Sequence, residues 1–381
     1  MIKCTPTEYK RYLDKAWTTH VPLMVYGPPG IGKSQVPREY FMEVVEKQNK
    51  DLENNPNKEG FKRTFVEWSH LTKTQKDEAI ANPEKFFILA DLRISGMDAT
   101  DLRGLPKLDG EYVSSTPYSW VNYFAAKNAM GVIFFDEINL APPLIAAQAY
   151  EVILDRTIAD QKLADDVLVI GAGNRANDSA YTYPMPLPLK DRFMEIEMTP
   201  DAESWTKWAS SAGVNPYLVS FIQWKGDYLY SLDKVKGEEK GSTPRGIVRA
   251  SKLIEGMDLA KDDFANDLIS ASCGEAFSNE FAGFMAVFKA LSWDKIFANP
   301  ACVEGLRNDR CWAICGGLVE QLSKDERLFN SCMEVINHLP TEFGAVALVL
   351  VWNQHKEICK KNMRKSPAFV TLAKKYADIL S

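Results

Sequence analysis

No stretch of this 381-residue sequence is long and apolar enough to cross a bilayer. The most hydrophobic run, Phe343 to Trp352, is about half the length of a membrane-spanning helix. The opening segment, MIKCTPTEYKRYLDKAWTTH, mixes charges with apolar groups and lacks the apolar core and small-residue cleavage site of a signal peptide. A soluble cytoplasmic protein is the expectation. Cationic excess is missing too: 45 Lys and Arg stand against 51 Asp and Glu, for a net charge of -6. That balance disfavours a chain whose main task is to neutralise duplex phosphates, although it leaves room for a local basic patch. The four histidines, His20, His70, His338 and His355, are scattered and form no H-E-x-x-H pattern. Of seven cysteines only Cys311 and Cys315 lie one helical turn apart, without the second pair a zinc site needs. They read as reduced core thiols. No internal repeat is present.

What is present in the first two hundred residues is an alternation of short β-branched or aromatic runs with helical patterns. VPLMVY, FFILADL, GVIFFDE, DVLVIGAG and MEIEM are five such runs, the signal of a parallel sheet covered by helices. A long insertion, Gln48 to Lys85, separates the first two; it holds the polar tract NKDLENNPNKEG, read as a solvated loop, and a separate strand-like RTFVEW. Beyond Pro200 helical periodicity takes over, as in AESWTKWASSAG, TPRGIVRASKLIEGM and TEFGAVALVLVWNQHKEIC. The polar stretch Asp233 to Ser242 reads as a separator between helices. Trp205 and Trp208 read as one face of a packed helix.

The strongest chemical signal is Gly27-Pro28-Pro29-Gly30-Ile31-Gly32-Lys33-Ser34, which follows an apolar strand and opens a helix. The bare G-x-x-x-x-G-K-[ST] pattern arises by chance in on the order of one in a hundred chains of this composition, and the flanks make chance rarer still. Glycines let the backbone wrap a triphosphate, with amides and a helix N-terminus facing its oxygens; Lys33 reaches the outer phosphates and Ser34 ligates Mg2+. ATP is expected as the nucleotide, since no N-K-x-D guanine signature is present. About a hundred residues on, the apolar run GVIFF ends in Asp136 and Glu137. Asp136 is placed to hold Mg2+ and Glu137 to polarise the attacking water. DVLVIGAGN carries Asn174 to the edge of the same sheet, where an amide can orient that water. An Asn after Gly is otherwise a common turn residue.

In this order the motifs resemble those of AAA+ ATPases, and among them the MoxR-like branch common in bacteria and phages, over roughly residues 10 to 255. The resemblance makes GPPGIGKS the Walker A motif, FFDE Walker B, Asn174 sensor 1, Arg192 the arginine finger acting in trans, and Arg245 sensor 2, in cis or in trans. By themselves the two arginines read as surface groups. Three longer segments also look like this branch: ADLRISGMDATDLRGLP, LAPPLIAAQAYEVILDRTIADQKL and AGNRANDSAYTYPMP. The first lies where MoxR-like proteins carry an insert facing a pore or a partner. Tyr112, Tyr118 and Trp120 beside it are candidates either for contact with a client or for packing within their own subunit. The implied fold is a P-loop NTPase αβα sandwich with a five-stranded parallel sheet (residues 1–200), a helical lid (201–259) that closes over ATP, and a helical C-terminal extension (260–381).

The function so implied is a ring-forming ATPase, hexameric by resemblance, that remodels or activates a partner protein bearing a von Willebrand A type domain. A nucleic-acid motor or restriction and defence subunit is a second class; it would need a basic, aromatic-lined pore, against which the acidic balance counts. A nucleotide-gated scaffold with little turnover is a third. The intact set Lys33, Asp136, Glu137, Asn174 and Arg192 argues against it.

Overall fold

The computed structural model describes residues 1–55, 57–175, 183, 185, 187–232, 240–259 and 262–376. The chain divides into two compact units, Met1–Thr199 and Pro200–Ser381. None of the described helices is long and apolar enough to cross a membrane.

The first unit is built on a parallel sheet of β1 (Ile2–Cys4), β2 (Leu23–Tyr26), β3 (Thr64–Glu67), β4 (Phe86–Arg93), β7 (Met130–Asp136), β10 (Val167–Gly173) and β11 (Met194–Met198). Two hairpins, β5 (Leu105–Asp109) with β6 (Tyr112–Thr116) and β8 (Thr157–Ile158) with β9 (Gln161–Lys162), stand apart from it. The sheet order is β1-β11-β2-β10-β7-β4-β3. The central strands are buried through nearly their whole length, as a parallel sheet covered on both faces requires. Helix α1 (Pro6–Thr19) starts at a Thr5/Glu8 capping box and buries Tyr9, Leu13 and Ala16, one face of a 3.6-residue period. The first residue after β2 and the first after β10 therefore lie side by side at the carboxyl edge, the usual place for a ligand in such sheets.

Among the described residues the sheet has seven strands where the sequence led us to expect five. Both additions are edge strands. β1 is three residues long with only Cys4 buried, too short and too wet to show as an apolar run. β3 is the strand-like segment of the 48–85 insertion, and it pairs with β4 from Thr64↔Phe86 to Glu67↔Leu89. The tract NKDLENNPNKEG is also not simply a loop. Helix α2 (Gln35–Asn54) runs through its first half and is tied by ion pairs of Lys58 with Asp51 and of Lys62 with Glu53, none of which a hydrophobic period reveals.

Arg63 secures this added edge. It is 8% exposed. Its guanidinium donates to the carbonyls of Pro83 at 3.0 Å, Phe86 at 3.0 Å and Asn128 at 3.0 Å. Its backbone is clasped by the Asn49 carboxamide at 2.8 and 2.9 Å.

Among its described residues the second unit is helical, from Ala202–Ser211 to Pro367–Lys375. One core cluster runs from Trp205 to Tyr376, with Trp208 packed against it, so the segments read as lid and extension share a core. Residues 233–239 of the polar separator lie outside the described residues. All seven cysteines are free thiols, and every one except Cys302 is buried.

Arg63→Ala leaves three carbonyls without their donor. We expect a loss of about 3 kcal/mol of stability by urea denaturation, and Arg63→Lys, whose single nitrogen replaces the two guanidinium nitrogens that reach separate carbonyls, to recover less than half of it.

Candidate functional site

The loop after β2 is shaped by what its glycines allow. The Gly27 amide donates to Gly173 O at 3.2 Å, and a Cβ on Gly27 would stand 2.6 Å from Met198 O, so the loop can approach the sheet end only without a side chain there. Gly30 (φ 77°) and Gly32 (φ 102°) take left-handed backbone. Pro28 and Pro29 stiffen the turn ahead of them, and buried Ile31 lies between the two and anchors the loop. Helix α2 then begins, with the Val36 amide bonded to Gly32 O at 3.0 Å. The Ser34 hydroxyl at its N-cap makes no capping bond. Lys33 is 8% exposed, and its ammonium donates to Gly27 O at 2.7 Å, Pro28 O at 3.0 Å and Asn174 Oδ1 at 3.0 Å.

One strand further, β7 ends at Asp136, opposite Arg93 of β4. Burial pushes the Asp136 carboxyl above its ordinary range, against the opposing pull of the Glu137 amide and the Lys33 charge. Glu137 sits in left-handed backbone at φ 55°, a conformation that costs a non-glycine residue about 1 kcal/mol. It is held there from both sides. Its amide donates to Asp136 Oδ1 at 2.9 Å, and the next amide, Ile138, donates to Ala172 O at 3.0 Å. Its carboxylate accepts from Ser95 Oγ at 2.6 Å, with Arg93 Nε at 3.6 Å.

The structure thus brings Lys33 and Asn174 into direct contact and sets Asp136 and Glu137 on the strand beside Asn174. Arg192 and Arg245 are different. Both are exposed, and among the described residues neither makes a hydrogen bond or ion pair; Arg192 follows the short helix Leu187–Lys190 of the first unit, and Arg245 lies in the first turn of Pro244–Leu253 in the second. Of the three aromatic residues near the β5–β6 hairpin, Trp120 is a core residue, which removes it as a contact candidate, whereas Tyr112 is 79% exposed and Tyr118 is exposed. Residues 176–182 of the segment AGNRANDSAYTYPMP lie outside the described residues.

Four groups escaped the sequence reading. Ser95 and Asn139 contact Glu137 and Asn174 respectively. Arg38, on α2, pairs through Nε with Glu67 at 2.8 Å and reaches Asp91 at 3.7 Å. Asp91 itself is pushed up to about 6, first by burial and then by the Asp136 charge, with Arg38 opposing. Only contacts across the sheet single these residues out.

The residues fit a magnesium nucleotide. Left-handed glycines and an unobstructed helix N-terminus suit an anion, a buried ammonium answers phosphate charge, and a hydroxyl and a carboxylate, Ser34 and Asp136, form the hard oxygen set that Mg2+ takes.

Residues 23–200 match the model described as the ATPase family associated with various cellular activities (AAA). No curated protein sequence matches the chain. Similar solved structures include the ORC2 protein of Aeropyrum pernix in its ADPNP-ADP complexes, with 12% identity over 98% of this chain and 84% of that one at a TM-score of 0.35. NtrX from Brucella abortus in complex with ATP aligns at 12% identity over 99% and 69% with a TM-score of 0.33. A mutant of Thermotoga maritima RuvB aligns at 15% over 76% and 73% with a TM-score of 0.26. At these values nothing of those proteins' activities transfers to this chain.

The raised Asp91 pKa has a definite sign. Folding favours the protonated acid, so its stabilising contribution is complete below about pH 4 and is lost as pH rises through about 6. In nucleotide-free, metal-free protein, Asp91→Asn should therefore be more stable than wild type at pH 8, by up to about 3 kcal/mol, and indistinguishable from it at pH 4. Thermal unfolding across that range checks it.

Proposed function

We propose that this chain, whose residues 23–200 match the AAA ATPase family model, hydrolyses Mg-ATP at a site completed by a neighbouring subunit. The cycle would remodel or activate a partner protein, as in MoxR-like ATPases. One observation carries the reading: at a single sheet edge, Lys33 meets Asn174 at 3.0 Å while the adjoining strand delivers Asp136 and Glu137.

In this reading the loop amides from Gly27 to Ser34 and the Lys33 ammonium bind the outer phosphates. Ser34 and Asp136 would hold the magnesium ion, which supplies positive charge against the phosphate oxygens. Glu137 takes the proton of the attacking water, and the Asn174 carboxamide, fixed by Lys33, orients that water. Arg192 serves the neighbour's site, adding charge to an in-line phosphoryl transition state, and Arg245, of the proposed lid 201–259, acts as sensor 2 in cis or in trans. The assembly is a closed ring, taken as hexameric, because a trans-acting group needs a heterologous interface that closes. Residues 260–381 form the extension. The exposed Leu108 and Tyr112 on the β5–β6 hairpin suit client contact, and the partner carries a von Willebrand A type domain.

Steady-state hydrolysis decides the matter. Glu137→Gln should lose at least about a hundredfold in kcat while still binding ATP, Arg192→Ala about a thousandfold, and Lys33→Ala should lose binding. Mixing Glu137→Gln with Arg192→Ala in equal amounts should restore activity at about a quarter of the interfaces, since each Arg192→Ala site then meets an intact finger half of the time. Two inactive variants that stay inactive when mixed would sink the shared site.

A further inference from the structure

We infer that Asn139 is a positioning residue for Asn174, holding its main chain so that its carboxamide is directed at Lys33. The inference rests on the ATPase reading above and adds to it a residue that touches no substrate.

Asn139 is 6% exposed, and its carboxamide makes a two-point clasp on the main chain of Asn174. Nδ2 donates to Asn174 O at 2.7 Å, and Oδ1 accepts from the Asn174 amide at 3.0 Å. Both polar ends of one planar group are thus satisfied by both polar ends of one residue, across 35 positions of sequence. A side-chain clasp of this kind fixes φ and ψ on either side of Asn174, which lies just past the last strand residue, Gly173, where the ladder no longer holds it. With the backbone fixed, the Asn174 side chain is directed and its Oδ1 meets the Lys33 ammonium at 3.0 Å.

Two neighbouring features make sense only with this clasp. A Cβ on Gly173 would stand 2.7 Å from Asn139 Oδ1, so the strand ends in a residue that leaves room for the carboxamide. The Ile138 amide bonds Ala172 O at 3.0 Å, so the turn after β7 is buttoned to β10 at two consecutive residues. Glu137 is the residue just before those buttons, in a left-handed conformation it would not hold alone. Asp or Ser at 139 would keep one half of the clasp at best; only Asn, with a donor and an acceptor at this reach, makes both.

The test is a double-mutant cycle. Asn139→Ala should lower kcat ten- to a hundredfold with little change in ATP KM and should narrow the preference for ATP over ADP measured with a fluorescent nucleotide. Because the residue acts through Asn174, Asn139→Ala combined with Asn174→Ala should lose no more activity than Asn174→Ala alone. Gly173→Ala, which displaces the carboxamide without removing it, should reproduce the loss and the same non-additivity if Asn139→Ala folds poorly. Hydrogen exchange gives a readout independent of turnover: the Asn174 amide should lose protection in Asn139→Ala while the Gly171 amide keeps it. Losses that multiply in the double mutant, or unchanged protection at Asn174, overturn the inference and leave the ATPase reading standing. A wild-type protein without ATP turnover overturns both.

Discussion

With 8% of its surface exposed, Lys33 carries its charge into the protein and must find acceptors there, because an unpaired buried ammonium costs several kcal/mol. The carbonyls of Gly27 and Pro28 turn inward to supply two of them. When consecutive carbonyls in a tight loop point to one centre, the following amides point the other way, toward the open side where an anion would sit. The third acceptor, Asn174 Oδ1, comes from a strand that only the sheet order makes a neighbour. So the loop's curvature, the position of Asn174 and the close approach of Gly27 to β10 and β11 all follow from housing one cation.

This explains which parts of the site could be read directly. Gly27 to Ser34 forms a local device: its glycine conformations, strand and helix all lie within about a dozen consecutive residues, so the string shows the geometry. Asp136 and Glu137 were legible because a buried strand ending in two acids is unusual. Asn139, Ser95 and the Arg38–Glu67 pair were not, because each acts on a partner 29 to 42 positions away. An Asn in INLAPP reads as a turn residue until β10 is placed beside it. The fold shows the same division. The central strands were found by their apolar runs, whereas β1 and β3 lie at the edges, where half-exposed residues need no such run. Trp120 shows the converse, since a large aromatic residue beside an exposed hairpin carries no sequence mark of which side it faces.

The segment 48–85 looked like an interruption, yet it widens the sheet, and physics gives it a connection to the site. β3 ends at Glu67, whose carboxylate receives Arg38 from the helix that begins at Ser34. The same guanidinium stands 3.7 Å from Asp91, on the strand next to the one ending in Asp136. Arg38 thereby offsets part of a three-carboxylate cluster of Glu67, Asp91 and Asp136 that burial makes costly. Arg63, holding the base of the same strand to three carbonyls, keeps that cation's partner in place.

The arginines divide by what they have already bonded. Arg63 and Arg156 are committed: each donates to carbonyls of its own unit, and Arg156 closes the segment around β8 and β9 onto Val167 at 2.8 Å and Ala164 at 2.6 Å. Removing either leaves buried acceptors behind, so such residues specify shape. Arg192 and Arg245 are exposed and have no such bonds among the described residues. Ordering an arginine side chain costs up to about 2 kcal/mol, which a bidentate contact with phosphate readily exceeds and a solvated surface does not. An exposed arginine without such bonds is available to a charge supplied from outside the chain.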